Sequence, residues 1–161
     1  STFGIPDEFP IIYETGADVA LNRDRLLERA GKKGEDLLLI DSDSTFTPID
    51  IYKINDHLKE KDVITGVCSV GHDAQPSIYI WSNKGFGHYM PHKLEKVDGT
   101  GGYFLGISKR IYNKLPVNPF ERITGLGNDL SFCKRLKELK IDIWVDPSIR
   151  IGHIKPRVIH I

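Results

Sequence analysis

The chain has 161 residues, with 22 Lys plus Arg balanced by 22 Asp plus Glu. That length can bury a core as one domain without staples, and zero net charge excludes a whole-molecule field for nucleic acid or an anionic membrane surface. Cys68 and Cys133 have neither a disulfide-rich count nor metal-ligand spacing, so they are expected as thiols in a reducing compartment.

No apolar run is long enough for a membrane span, and STFGIPDEFP lacks the basic-then-apolar pattern of a secretory leader. The expectation is a soluble, cytoplasmic protein without a transmembrane segment, whose true start has been lost to processing or truncation. In chain order, FPIIYET (9–15) predicts a short strand. DVALNRDRLLERAGKKG (18–34) then places Val19, Ala20, Leu26, Leu27 and Ala30 on one helical face, with Gly31 as the C-terminal cap. DLLLI (36–40) is apolar on both faces, as expected of a central strand covered by helices on each side. The next helix announces its own start, with Thr47 as N-cap, Pro48 at the first helical position and Asp50 completing a capping-box-like pattern. DVITGVCSV (62–70) completes a β-α-β-α-β order, the pattern of a mostly parallel, doubly wound sheet.

Residues 71–100 are rich in Gly, His, Asn and aromatics, and predict a hairpin or loops forming a substrate-facing insertion. GGYFLGI (101–107) predicts a strand and SKRIYNKL (108–115) a helix. A further helix over 128–139 has Leu130, Cys133, Leu136 and Leu139 as its apolar side. IDIWVD (141–146) closes the sheet, and 150–161 is an extended C-terminal tail.

Three stretches carry candidate chemistry. In LLLIDSDSTFTP, Asp41 and Asp43 flank Ser42 where a strand ends, the edge at which open α/β sheets bind ligands. Two carboxylates so close repel unless a cation lies between them; if the chain turns there, both reach one Mg²⁺ or Mn²⁺ that keeps positions for phosphate oxygens. The competing reading is two solvated loop residues. In GLGNDLSFCKRL, Asn128 and Asp129 open a helix, where Asp129 is either a general base or an ordinary cap. In RIGHIKP, His153 is a candidate Mn²⁺ ligand and Lys155 a phosphate partner, or both are plain surface residues.

Taken together and in this order, LLLIDSDSTFTP, GTGGYFLGISKRIY, GNDLSFCKRLKELKIDIWVDPS and IGHIKP make the chain resemble a glycosyltransferase of the GT-A fold, most similar to the family 2 type and its short bacterial and phage-like members. The resemblance runs from about Gly16 to Pro156 and implies one glycosyltransferase-like domain over 1–161, Rossmann-like, with a mostly parallel mixed sheet flanked by helices. It implies a metal site of Asp41, Asp43 and His153 holding Mn²⁺ or Mg²⁺, and a donor site of Arg23, Asp24, Asp41, Ser42, Asp43 and Lys155. It further implies Asp129 as the base that deprotonates an acceptor hydroxyl. Gly101, Gly102, Tyr103, Asn128 and, by stacking, Trp81 are assigned to the sugar or acceptor.

The implied activity is metal-dependent transfer of a sugar from a nucleoside-diphosphate sugar, UDP-sugar favoured, to a saccharide or other hydroxyl acceptor with inversion. The alternatives are a non-catalytic nucleotide- or carbohydrate-binding domain derived from the fold, and a sugar-phosphate nucleotidyltransferase. The latter normally carries a Gly-rich basic loop near its start, which this sequence lacks. Three departures bear on these expectations: Asn128 stands where the family has Glu, Asp24 where it has Asn, and only one short strand precedes Gly16, so either FGIPDEFPIIYET holds the nucleotide base alone or part of the nucleotide-binding region is missing.

Overall fold

The computed structural model of the chain describes residues 4–70 and 75–154. Helix α1 spans Val19–Lys33, and its first turn is closed by the Asp18 carboxylate, which accepts from the Leu21 N–H at 3.0 Å. The helix runs past Gly31 and is capped instead by Gly34, whose φ of 65° is the left-handed conformation a side chain resists. Strand β1 (Leu37–Ile40) follows, then the two-residue β2 (Ser44–Thr45) and helix α2 (Pro48–His57). The expected start of α2 is present: the Asp50 carboxylate accepts from the Thr47 N–H at 2.8 Å and from its hydroxyl at 2.9 Å.

Strand β3 (Val63–Val70) leads to β4 (Gln75–Pro76), and the hairpin expected within 71–100 is formed by β5 (Ile78–Ser82) and β6 (Gly85–His88). Strands β7 (Glu95–Val97), β8 (Gly99–Thr100) and β9 (Phe104–Ile107) come next. The helix expected over 108–115 is a 3-10 helix at Lys109–Lys114, and α3 (Asn128–Glu138) and β10 (Ile143–His153) follow.

The main sheet is mixed, ordered β1-β9-β3-β10-β2, with β4 added on β3 and β7 on β10. Among the described residues only β3 and β10 pair in parallel, and every other pairing is antiparallel, which corrects the expectation of a mostly parallel sheet. The reason lies between β3 and β9. A parallel return needs a crossover, usually a helix, whereas the described residues there form short strands, so β9 comes back antiparallel to both β1 and β3. Strands β1, β3 and β10 therefore share one direction, and their carboxyl ends meet the start of β9 at one edge.

Two further expectations are corrected. Residues 9–15 form no strand: this segment is held by side chains, with Phe9 edge-on to Tyr52, Glu8 accepting from the Tyr52 hydroxyl, and Arg29 donating to the Tyr13 carbonyl. Strand β1 is at one end of the hydrogen-bonded order rather than central. Its alternation is nonetheless that of a covered strand. Leu37 and Leu39 join the core under α1 and α3, while Leu38 and Ile40 pack against the core under α2. Val19 leaves the expected apolar face of α1 and is exposed, whereas Leu27 and Ala30 are buried. Phe132 of α3 is fully buried and stacks on Phe120 with ring centroids 4.2 Å apart, a contribution of about 2–3 kcal/mol from burial alone. No helix among the described residues is long and apolar enough to cross a membrane.

Candidate functional site

Asp41 follows β1 directly, and its N–H donates to the Tyr103 carbonyl at 3.1 Å. The chain then turns, with the Ser44 N–H donating to the Asp41 carbonyl at 3.0 Å and the Ser44 hydroxyl to the Tyr103 carbonyl at 3.1 Å. This turn sends Asp41 and Asp43 to different partners.

Asp41 meets Arg23 of α1. One guanidinium nitrogen donates to Asp41 Oδ1 at 2.8 Å and to Oδ2 at 3.1 Å, and the other donates to the Asn128 side-chain oxygen at the start of α3. Arg23 is only 7% exposed, and a buried cation is tolerable only when paired and hydrogen-bonded. Gly102 makes room for it: a Cβ there would run into the guanidinium. Asn128 adds no charge, so one carboxylate balances one guanidinium. A Glu at 128 would have placed a second anion on the same arginine.

Asp43 meets His153. Strand β2 pairs antiparallel with the end of β10, Ser44 opposite His153 and Thr45 opposite Gly152, and the Ile154 N–H donates to the Asp43 carbonyl at 2.8 Å. That pairing brings His153 Nε2 to 2.6 Å from Asp43 Oδ2. Among the described residues no group of three or more His, Cys, Asp or Glu is gathered to hold a metal ion. The structure thus brings together two of the three expected ligands, while Asp41 is turned to Arg23. A carboxylate and an imidazole are a donor set suited to Mn²⁺, and such ions keep several waters or phosphate oxygens and need only one or two carboxylates from the protein. As they stand the two side chains bond each other directly, so only the chemical type of the donors matches such an ion.

Asp129 stands in the first turn of α3, half-buried, with Oδ1 accepting from the Leu130 N–H at 2.8 Å. Beneath it Cys133 is buried and donates to the Thr100 carbonyl at 3.6 Å. Burial, with a further push from the Asp129 charge, raises this thiol to about 12, so Cys133 is inert packing. The loop before α3 is fastened by Ser131, whose hydroxyl donates to the Gly127 carbonyl at 2.7 Å and accepts from the Ile123 N–H at 2.9 Å.

The remaining expected residues are distributed unevenly. Ser42 is exposed between the two aspartates. Gly101 packs beside Ser77, and its N–H donates to the Ser77 carbonyl at 3.0 Å. Tyr103 is buried, its hydroxyl donating to the Gly66 carbonyl at 2.9 Å, so it offers the edge its backbone and not its ring. Burial also raises its phenol well above the ordinary value.

Asp24 is not part of the Arg23 cluster. It is buried and accepts from the Phe120 N–H at 2.8 Å, and burial raises its carboxyl above the usual range despite that bond. It also lines a cleft of about 630 Å³ with Asp18, Leu21, Asn118, Glu121 and Arg122. Trp81 is exposed on β5. Ile78 pairs with Thr100, and β5 runs on from there away from Gly101, which puts Trp81 about 10 Å further from the cluster at the usual strand rise. Lys155 lies outside the described residues.

Sequence reasoning missed the Arg23–Asn128 contact and the role of Thr45 and Gly152 in bringing His153 to Asp43. The first had a signal, since Arg23 and Asn128 were both singled out without being joined. The second had none, because pairing of a two-residue strand leaves no periodicity.

No family model matches the chain, and no curated protein matches it. Among solved structures, the crystal structure of A197 from STIV, a viral protein, is similar at a TM-score of 0.70 and 21% identity, over 91% of this chain and 72% of that one. At that identity the likeness shows the fold alone, an α/β domain with a mixed sheet flanked by helices.

Proposed function

We propose that the protein is a metal-dependent glycosyltransferase of the GT-A type, which moves a sugar from a nucleoside-diphosphate sugar, UDP-sugar favoured, to an acceptor hydroxyl with inversion. The observation that carries this reading is the β2–β10 pairing, which sets His153 Nε2 2.6 Å from Asp43 beside an Asp41 already held by buried Arg23. Asp43 and His153 hold Mn²⁺ or Mg²⁺ in this reading, and when bound the ion offsets the negative charge gathering on a departing diphosphate.

The protein's own groups supply the rest. Arg23 fixes Asp41 and the first residue of α3 in one frame, so the donor side and the acceptor side keep their spacing. Asp129, in the first turn of α3, takes the proton of the acceptor hydroxyl as that oxygen attacks the anomeric carbon. Gly102 and the backbone of Tyr103 line the edge between them. A non-catalytic nucleotide- or carbohydrate-binding domain is the second reading, favoured by the bond from the Leu130 N–H to Asp129, which ties that carboxylate to its own helix.

Asp129→Asn separates the two readings. For an enzyme, nucleotide affinity measured by calorimetry stays near the parent value while transfer from the sugar nucleotide is lost. If affinity and folding fail together, Asp129 is a structural cap and the base assignment is wrong. Transfer that persists undiminished also removes Asp129 from the mechanism.

A further inference from the structure

Strand β10 is not continuous with its neighbour. It pairs with β3 from Ile143 to Val145 against Val63 to Thr65, and again at Arg150 and Ile151 against Val67 and Cys68. Five steps on β10 thus match two on β3, leaving three extra residues in the stretch Asp146–Ile149. Side chains alternate with period two, so an odd excess turns everything downstream to the opposite face. The size and anchoring of this bulge therefore govern where His153 points.

The bulge is held by two elements, β3 and α2. Gly66 of β3 accommodates Ile149, which packs into the core under α2: a Cβ at Gly66 would collide with the Ile149 side chain and lie 2.6 Å from its carbonyl oxygen. Helix α2 reaches over the bulge with residues one turn apart. His57 Nε2 is 2.7 Å from Asp146 Oδ2, and Lys53 Nζ donates to the Ser148 hydroxyl at 3.1 Å and carbonyl at 3.4 Å. The other Asp146 oxygen accepts from the Ser148 N–H at 2.9 Å and hydroxyl at 2.7 Å, which closes the turn on itself. Helix α2 begins directly after β2, so the same two segments are tied at both ends: by the His57–Asp146 clasp at the bulge and by the Asp43–His153 pair at the sheet edge.

We propose that Asp146, clasped by His57, is a positioning residue for the candidate cation site, setting the β10 bulge that delivers His153 to Asp43. The cation part of this inference rests on the proposed function; the positioning part does not. The effect of the bulge passes through the β2–β10 pairing.

Asp146→Asn and the milder His57→Gln test it in the intact chain, with amide hydrogen exchange as the first readout and Mn²⁺ titration as the second. The reporter is the Ile154 amide, bonded to the Asp43 carbonyl, compared with amides of β1 and β9. Positioning predicts that Asp146→Asn lowers Ile154 protection by about tenfold or more beyond whatever fall β1 and β9 share, the shared part reporting the loss of global stability. It predicts that His57→Gln, whose amide can still donate to Asp146, gives a smaller loss in the same place. A uniform fall in all strands, or no change at Ile154, in the variant that folds overturns it. Mn²⁺ affinity falling in parallel with Ile154 protection supports both the clasp and the cation site. Selective loss at Ile154 in a protein that never binds Mn²⁺ upholds the positioning and removes the cation reading.

Discussion

Asp41 and Asp43 are one residue apart, yet they belong to two walls built on different physical terms. The Asp41 wall joins α1, β1 and α3 around a buried arginine, and its order comes from desolvation: Arg23 cannot remain there unpaired. The Asp43 wall joins β2 to the last residues of β10 at the surface, with side-chain exposures of 46% for Asp43 and 29% for His153, and its order comes from backbone pairing. The first wall is a fixed frame that costs stability to disturb. The second is a pair of donors open to solvent, which can be changed with little effect on folding.

Substitutions sharpen that contrast. Arg23→Met should cost the most, about 2–4 kcal/mol in denaturant unfolding, because it removes the partner of Asp41 and Asn128 and leaves a cavity under Gly102. Gly102→Ala pushes a methyl group into the guanidinium and should cost about 1–3 kcal/mol. His153→Gln should change stability by no more than about 0.5 kcal/mol while lowering Mn²⁺ affinity by about tenfold or more, since even outer partners of a metal ligand carry effects of that size. A His153→Gln protein that unfolds as readily as Arg23→Met would erase the distinction between the walls.

Two aspartates outside both walls predict opposite pH behaviour. Burial raises the folded carboxyl of Asp24 above 3.8, so folding favours its protonated form: its contribution is best below the unfolded value and is lost as pH rises through the folded one. Asp24→Asn, which can still accept from the Phe120 N–H, should therefore gain stability relative to the parent above that window and none below it. For Asp146, burial pulls upward but is outweighed by the hydrogen bonds from His57 and Ser148, and the folded carboxyl lies below 3.8. Its contribution is present above the unfolded value and is lost as pH falls through the folded one. Asp146→Asn should be costly near neutrality and should converge on the parent in acid. Urea titrations of both variants from pH 2 to 7 check the signs, and the same sign for both would contradict the assignment.

Much of this was legible in the residues because it is local. The Thr47–Pro48–Asp50 start of α2, the four-residue apolar β1 and the hairpin at β5–β6 follow from capping, periodicity and turn chemistry within a few positions. The edge location of Asp41 and Asp43 followed from the strand's end. What was not legible depends on pairing between distant segments. The reversed direction of β9 arises because the described residues before it form short strands and no crossover helix, and residues 9–15 have strand-like composition but no strand to pair with among the described residues. Tyr103, expected at the sugar, is instead a buried ring whose hydroxyl is bonded to the distant Gly66 carbonyl. The grouping of Arg23 with Asp41 and Asn128 needed the three elements placed in space, although each residue had been marked separately.

The measurement that tests the account most directly is a calorimetric titration of UDP, GDP and CDP into the intact chain with and without Mn²⁺, repeated on Asp43→Asn. Saturable binding of one nucleotide that requires Mn²⁺ and is lost in the folded Asp43→Asn protein is the predicted result. Binding that is indifferent to Mn²⁺, or unchanged by Asp43→Asn, would contradict the cation reading of Asp43 and His153 and with it the proposed transfer chemistry.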